Sequence, residues 1–184
     1  MVSITGKAAT SRTARAACCV VFSSPTALRL IRANQLAKGD VLAVARVAGI
    51  MAAKRTPELV PLCHPIALSH VSVDLRLPDD ERQAVTDKRK RKGWENAIDI
   101  ETTVSCNGPT GVEMEALSAA AAAALTVYDM CKAVDRAMVI TDLRVVFKDG
   151  GRSGRWVEGA READDGRGDA GGCRGGGGDV VAKE

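Results

Sequence analysis

Aromatic side chains are nearly missing from this chain: two Trp, two Phe and one Tyr make up 3% of 184 residues. The core must then be built from Ala, Val, Leu and Ile, which lets elements approach closely but buries little area per residue. Part of the apolar burial is therefore expected to come from oligomerisation. The same scarcity argues against a nucleic-acid platform, because single-strand readers stack bases on aromatic residues of their strands. Phe22 and Phe147 fall at the ends of predicted strands, and Trp94 and Trp156 fall outside regular elements.

Histidine is equally scarce, with only His64 and His70. Six cysteines are present, Cys18, Cys19, Cys63, Cys106, Cys131 and Cys173, but none forms a C-x-x-C pair. A zinc or iron–sulfur site thus has little support, and no metal is expected. Nothing reads as a secretory signal, so the expected setting is a reducing compartment with free thiols. No apolar run is long enough to cross a bilayer, 116–127 being too short and too Ala-rich, so no membrane partner is expected. Net charge is only +3. The basic excess gathers in Lys88-Arg89-Lys90-Arg91-Lys92, inside a polar stretch 79–95 without periodicity. It reads as a solvated surface loop; no partner nucleic acid is inferred from it.

What is present is regular. Residues 16–22 are apolar and β-branched and read as a buried strand. Ser23-Ser24-Pro25-Thr26 breaks it and starts a helix over 27–32. Asp40 is a good N-cap for a second helix over 41–54, with Val41, Val44, Ala45, Ala48 and Ala52 on its apolar stripe. Val71, Val73, Leu75 and Leu77 alternate with polar residues, a half-buried strand. Ile98, Ile100, Thr102, Val104 and Cys106 alternate in the same way and form its hairpin partner. Asn107-Gly108-Pro109-Thr110-Gly111 predicts a turn. An Ala-rich helix follows over 116–133, then a strand over 138–147. The order predicts an α+β fold, the ferredoxin-like split β-α-β arrangement, an antiparallel sheet with helices packed on one face. The domain is expected to span 1–154. The remainder, 155–184, contains Gly175-Gly176-Gly177-Gly178 and almost no apolar residues, the composition of a disordered tail.

Four groups of residues could carry chemistry. Leu62-Cys63-His64-Pro65 displays a thiol and an imidazole in a segment bounded by Pro61 and Pro65, which disfavour helix. A Cys–His nucleophile pair is disfavoured because adjacent residues in an extended segment point to opposite sides. Glu113 and Glu115 flank Met114; in an extended segment before the helix they would point the same way, and repulsion would raise one pKa. The alternative is that they complement the positive N-terminal end of the helix. Asp129 and Lys132 stand i, i+3 on that helix, with Tyr128, Met130 and Cys131 around them. Partial burial there would tend to lower the lysine pKa, with Asp129 opposing, and would poise it for proton transfer. Lys38, Lys148 and Arg152 are cations at loop or strand ends that together would suit a triphosphate, with Gly150 and Gly151 letting backbone amides approach it.

Taken together, Lys38-Gly39-Asp40, Leu62-Cys63-His64-Pro65, Gly111-Val112-Glu113-Met114-Glu115-Ala116-Leu117 and Tyr128-Asp129-Met130-Cys131-Lys132-Ala133 resemble the signature of the cyclic pyranopterin monophosphate synthase (MoaC) family of molybdenum cofactor biosynthesis. The resemblance runs from Met1 to about Gly154. It implies a lyase that converts (8S)-3',8-cyclo-7,8-dihydroguanosine 5'-triphosphate into cyclic pyranopterin monophosphate and diphosphate, by proton transfers and without a redox cofactor. It further implies Asp129 and Lys132 as the central acid–base residues. Leu62, Cys63, His64, Glu113, Met114 and Glu115 would line the substrate pocket, with Lys38 and Lys148 binding phosphate or assisting. It implies a hexamer, a trimer of dimers with active sites at a subunit interface, in the cytoplasm of a bacterium or the mitochondrial matrix of a eukaryote. Three departures stand out. Met1-Val2-Ser3-Ile4 matches a position that usually follows a short leader, which implies a shortened start. The stretch 79–95 looks longer and more basic than usual, and Arg152 replaces a common lysine, keeping charge but not proton-donating ability. The rival class, a nucleotide- or RNA-binding ferredoxin-like module using the basic loop, would need aromatic residues on its strands.

Overall fold

The computed structural model describes residues 1–78 and 94–159. The basic run 88–92, nearly all of the expected loop 79–95, and the tail beyond 159 lie outside the described residues. Five strands form one antiparallel sheet: β1 (Thr10–Val21), β2 (Leu68–Arg76), β3 (Ala97–Gly108), β4 (Val139–Asp149) and β5 (Trp156–Val157), in the order β2-β3-β1-β4-β5. Among the described residues the helices are α1 (Thr26–Arg32), α2 (Val41–Lys54), the single turn α3 (Thr56–Leu59) and α4 (Glu113–Cys131). This is the α+β, ferredoxin-like architecture expected from the element order.

The sheet's covered face is read directly from alternation. Ala14, Ala16, Cys18 and Val20 of β1 are buried, as are Ile98, Ile100, Thr102, Val104 and Cys106 of β3. Against them lies α4, through Ala116, Ala119, Ala120, Ala123, Ala124 and Val127. Alanines let the helix axis come down close to the strands. Thr102 exploits this closeness: its buried hydroxyl donates to the carbonyl of Ala116 at 2.8 Å. The Cys18 thiol likewise donates to the carbonyl of Ala120 at 3.5 Å. Two polar groups are thereby satisfied inside an apolar layer, which fixes where α4 sits along the sheet.

Several expectations shift in detail. β1 begins six residues earlier than hydropathy suggests, because Thr10–Arg15 pair with β3 and β4 although their side chains alternate. Asn107 and Gly108 still belong to β3, paired with Ser11 and Thr10, so the turn is shorter than predicted. Trp156 lies in the edge strand β5, paired with Lys148, rather than outside regular structure. On α2 the buried stripe is Val41, Ala45, Gly49 and Ala53, a rotation away from the predicted one, and Val44 is exposed. Gly49 explains the rotation. A Cβ there would lie 2.9 Å from the Ala119 carbonyl oxygen and 3.0 Å from Val73 Cγ2, so the bare backbone is the surface that lets α2 contact α4 and β2 together. Gly49→Val should overpack this three-way junction and lower stability by roughly 1–3 kcal/mol in a denaturant titration; an unchanged midpoint would show that the junction has room.

Candidate functional site

The Lys-Gly-Asp motif is a small positioning device. Gly39 adopts φ +89°, a left-handed conformation natural for glycine. Asp40 then caps α2, accepting from the Ala43 N–H at 3.0 Å. The reversal between them directs Lys38 back across the C-terminal end of α4. There Lys38 Nζ contacts Asp129 Oδ2 at 2.5 Å and donates to the Asp129 carbonyl oxygen at 3.1 Å. Lys132 Nζ holds the other carboxylate oxygen, Oδ1, at 2.7 Å. Asp129 is thus bridged between two ammonium groups. Their hydrogen bonds, that of Lys132 first and that of Lys38 next, hold its carboxyl down at about 2. It is a carboxylate across the neutral range, an acceptor and charge anchor.

Both side chains of the Asp129–Lys132 pair are 53% exposed. The partial burial expected from Tyr128, Met130 and Cys131 is absent in the single chain, because Met130 and Cys131 turn into the core while Asp129 and Lys132 face out. The groove around them is lined also by Leu36, Val134 and Arg136. Beyond it Asp135 is buried and accepts from the backbone N–H groups of Ser23 (2.7 Å) and Ala137 (2.9 Å). That clamp fixes the chain leaving α4 to the end of β1.

The second cluster lies at the opposite end of α4. Glu113, Met114 and Glu115 are its first turn rather than an extended segment before it, so the two carboxylates do not share one side by strand alternation. Glu115 is buried and Glu113 half-buried. Burial pushes the Glu115 carboxyl up; its own backbone N–H opposes this, and the neighbouring Glu113 charge adds to it. The raised acid foreseen from two adjacent carboxylates is therefore present, with desolvation as its main cause. Facing them across a cavity of about 300 Å³ are Leu62, Cys63, His64 and Ile66. Although adjacent in sequence, Cys63 and His64 both border this cavity. Burial, with Glu115 next, pushes the Cys63 thiol up, which favours the thiol over a thiolate nucleophile.

A third group adjoins the second. Lys7, Arg12 and Arg152 line a neighbouring cleft with Thr110, Gly111, Gly151 and Ser153. Gly150 and Gly151 both take positive φ, and their turn packs on Ser11 and Arg12. Arg12 is held by donating from Nε to the Gly108 carbonyl at 2.8 Å. Lys148 donates to Ser153 in the same turn. Lys38, grouped with Lys148 and Arg152 on charge alone, stands instead with Asp129 at the far end of α4. Lys7 and Arg12 are additions of the fold. They are two among 26 basic residues, and no local pattern distinguishes them.

The site residues thus form two stations. Glu115 and Asp129 are fourteen positions apart on one helix, which at ~1.5 Å per residue separates them by roughly 21 Å. Among the described residues no group of three or more His, Cys, Asp or Glu side chains converges as a metal site, and no helix is long and apolar enough to span a membrane.

Comparison with known proteins adds a family context. The MoaC family pattern matches residues 1–151. A cyclic pyranopterin monophosphate synthase of Chloroflexus aurantiacus is 55% identical over 156 residues, 85% of this chain and 86% of the relative. One from a Nocardioides species is 52% identical, covering 85% and 87%. A mitochondrial one from Arabidopsis thaliana is 50% identical, covering 85% of this chain and 52% of the plant protein.

Proposed function

The chain belongs to the MoaC family, and on that premise we propose that it is a lyase of molybdenum cofactor biosynthesis. It converts (8S)-3',8-cyclo-7,8-dihydroguanosine 5'-triphosphate into cyclic pyranopterin monophosphate and diphosphate. The observation that carries this reading is Asp129 bridged between Lys38 and Lys132. Ring opening and reclosure to a pterin need a proton donor and an acceptor held in fixed relation, and this triad supplies both. Closure of the cyclic phosphate proceeds by attack of a sugar hydroxyl on the α-phosphorus. The P–O bond to the departing diphosphate breaks as the new one forms. Lys7, Arg12, Lys148 and Arg152 offer cations to the triphosphate and to the charge on the leaving group. Glu113, Glu115 and His64 face the heterocycle, and the Glu115 carboxyl, whose pKa burial raises, is the proton donor on that side. Leu62, Cys63 and Met114 form the pocket wall.

One substrate cannot bridge stations roughly 21 Å apart along α4. The reading therefore includes a second copy of the chain, in a hexamer built as a trimer of dimers. The outward stripe of α4 supports such pairing: Met114 and Leu125 are exposed, and Leu117, Ala121 and Ala122 only half-buried. An antiparallel α4 pair with its two-fold axis between Ala121 and Ala122 sets Met114 of each helix beside residue 129 of the other. It opposes a station with two carboxylates to one with two ammonium groups around one carboxylate. The reading places the chain in the cytoplasm of a bacterium or the mitochondrial matrix of a eukaryote; the Arabidopsis relative is named as mitochondrial.

Among the described residues nothing favours the nucleic-acid alternative. The ring of Phe147, on the sheet's outer face, is occupied by Arg15 at 4.6 Å and Arg155 at 5.3 Å, so no base can stack there without displacing them. The direct test is incubation with the cyclic nucleotide triphosphate, followed by oxidation and detection of pterin fluorescence and released diphosphate. Stoichiometric appearance of both is expected; a folded protein that yields neither does not perform this reaction.

A further inference from the structure

Residues 1–9, ahead of β1, are exposed except Ile4, which is half-buried. They form no strand or helix. Their described hydrogen bonds stay within the segment: the Lys7 N–H donates to the Ile4 carbonyl at 3.2 Å, and the Thr5 N–H to Ser3 Oγ at 3.3 Å. Gly6 at φ +78° sets the turn between them. Yet the segment supplies one wall of the cavity that holds Cys63, His64, Glu113 and Glu115, through Met1, Val2, Ile4 and Lys7. Lys7 also lines the cationic cleft with Arg12 and Arg152, so it stands where the two spaces adjoin.

We propose that residues 1–9 act as a strap over the carboxylate–imidazole cavity, with Ile4 as its latch, and that Ile4 is a positioning residue acting through Lys7. This rests on the functional reading above, but its physical core does not. A segment with no backbone bonds to the body among the described residues and one half-buried apolar side chain has a low opening free energy. It can swing away to admit a bulky polyanion and fold back as Lys7 meets negative charge. Closure would leave Val2, Ile4, Leu62, Ile66 and Met114 as apolar walls on the ring-binding side, while Lys7 sits at the phosphate side. The strap thereby couples closure of the ring-binding cavity to capture of the triphosphate.

Cys63 provides a readout independent of turnover, because it lies in the cavity beneath the strap. The experiment uses the full chain and follows alkylation of Cys63 by iodoacetamide, resolved from the other cysteines by peptide mass spectrometry. Ile4→Asp should raise the Cys63 alkylation rate about five- to tenfold, the scale set by one partly buried isoleucine. Alkylation of Cys19, on another part of the molecule, should not change. Ile4→Leu should restore the slow rate. Melting temperature should be the same in all three proteins, since Ile4 is outside the core. With the cyclic nucleotide triphosphate as probe, Ile4→Asp should raise KM and leave kcat within about twofold. An unchanged Cys63 rate in folded Ile4→Asp overturns the strap. A faster Cys63 rate with no turnover by the parent chain would instead reject the proposed reaction and leave the strap standing. A fall in kcat with KM unchanged would overturn the positioning role.

Discussion

Lys132→Ala should slow pterin formation by at least about 100-fold in single turnover, since a positioned proton donor contributes ~10²–10⁴-fold. Circular dichroism should be unaltered, because the side chain is half-exposed and its removal opens no cavity. Asp129→Asn should fall in the same range. The change keeps the shape but removes the charge that holds Lys38 and Lys132 2.5 and 2.7 Å away. The double variant should be little worse than either single, because both losses disable one unit. Lys38→Ala joins this set on the structural ground that it completes the bridge. Rates near normal in folded Lys132→Ala would remove the triad from the chemistry and leave Glu115 and His64 as the candidates.

The other large effect is a recovery. Lys132→Ala damages the station at the C-terminal end of α4, and Glu115→Gln the station at its N-terminal end. Each alone should be nearly inactive. If each site takes one station from each of two copies, a mixed dimer holds one doubly damaged site and one intact site. Co-expression in equal amounts makes half the dimers mixed, so about a quarter of the parent rate should return. Leu125→Arg, on the outward stripe of α4, should lower the mass in solution and abolish turnover together. Co-assembled variants, verified by two affinity tags, that regain nothing would mean that each chain works with its own stations. The ~21 Å separation would then have to close by a change within the chain.

Much of this was legible without coordinates. Alternation at Val71–Leu77 and Ile98–Cys106 placed the β2–β3 hairpin, since a half-buried strand writes its two faces into every second residue. Asp40 announced the start of α2 because a cap is a local hydrogen bond. Motifs and family resemblance nominated the site residues one by one. Three things were decided only by the tertiary structure. The Glu113-Met114-Glu115 run reads equally as an extended approach to the helix with paired carboxylates or as acids complementing the helix N-terminus, and the packed structure makes it the first turn of α4. The face of α2 is set by a close approach at Gly49, which hydropathy cannot rank because glycine has no side chain to bury. Finally, which cation serves which station is a long-range matter: Lys38 reaches Asp129 across 91 positions of sequence. Charge and motif name the groups that can do chemistry; only packed helices and strands determine which of them meet, because proximity in space is created by burial rather than by order along the chain.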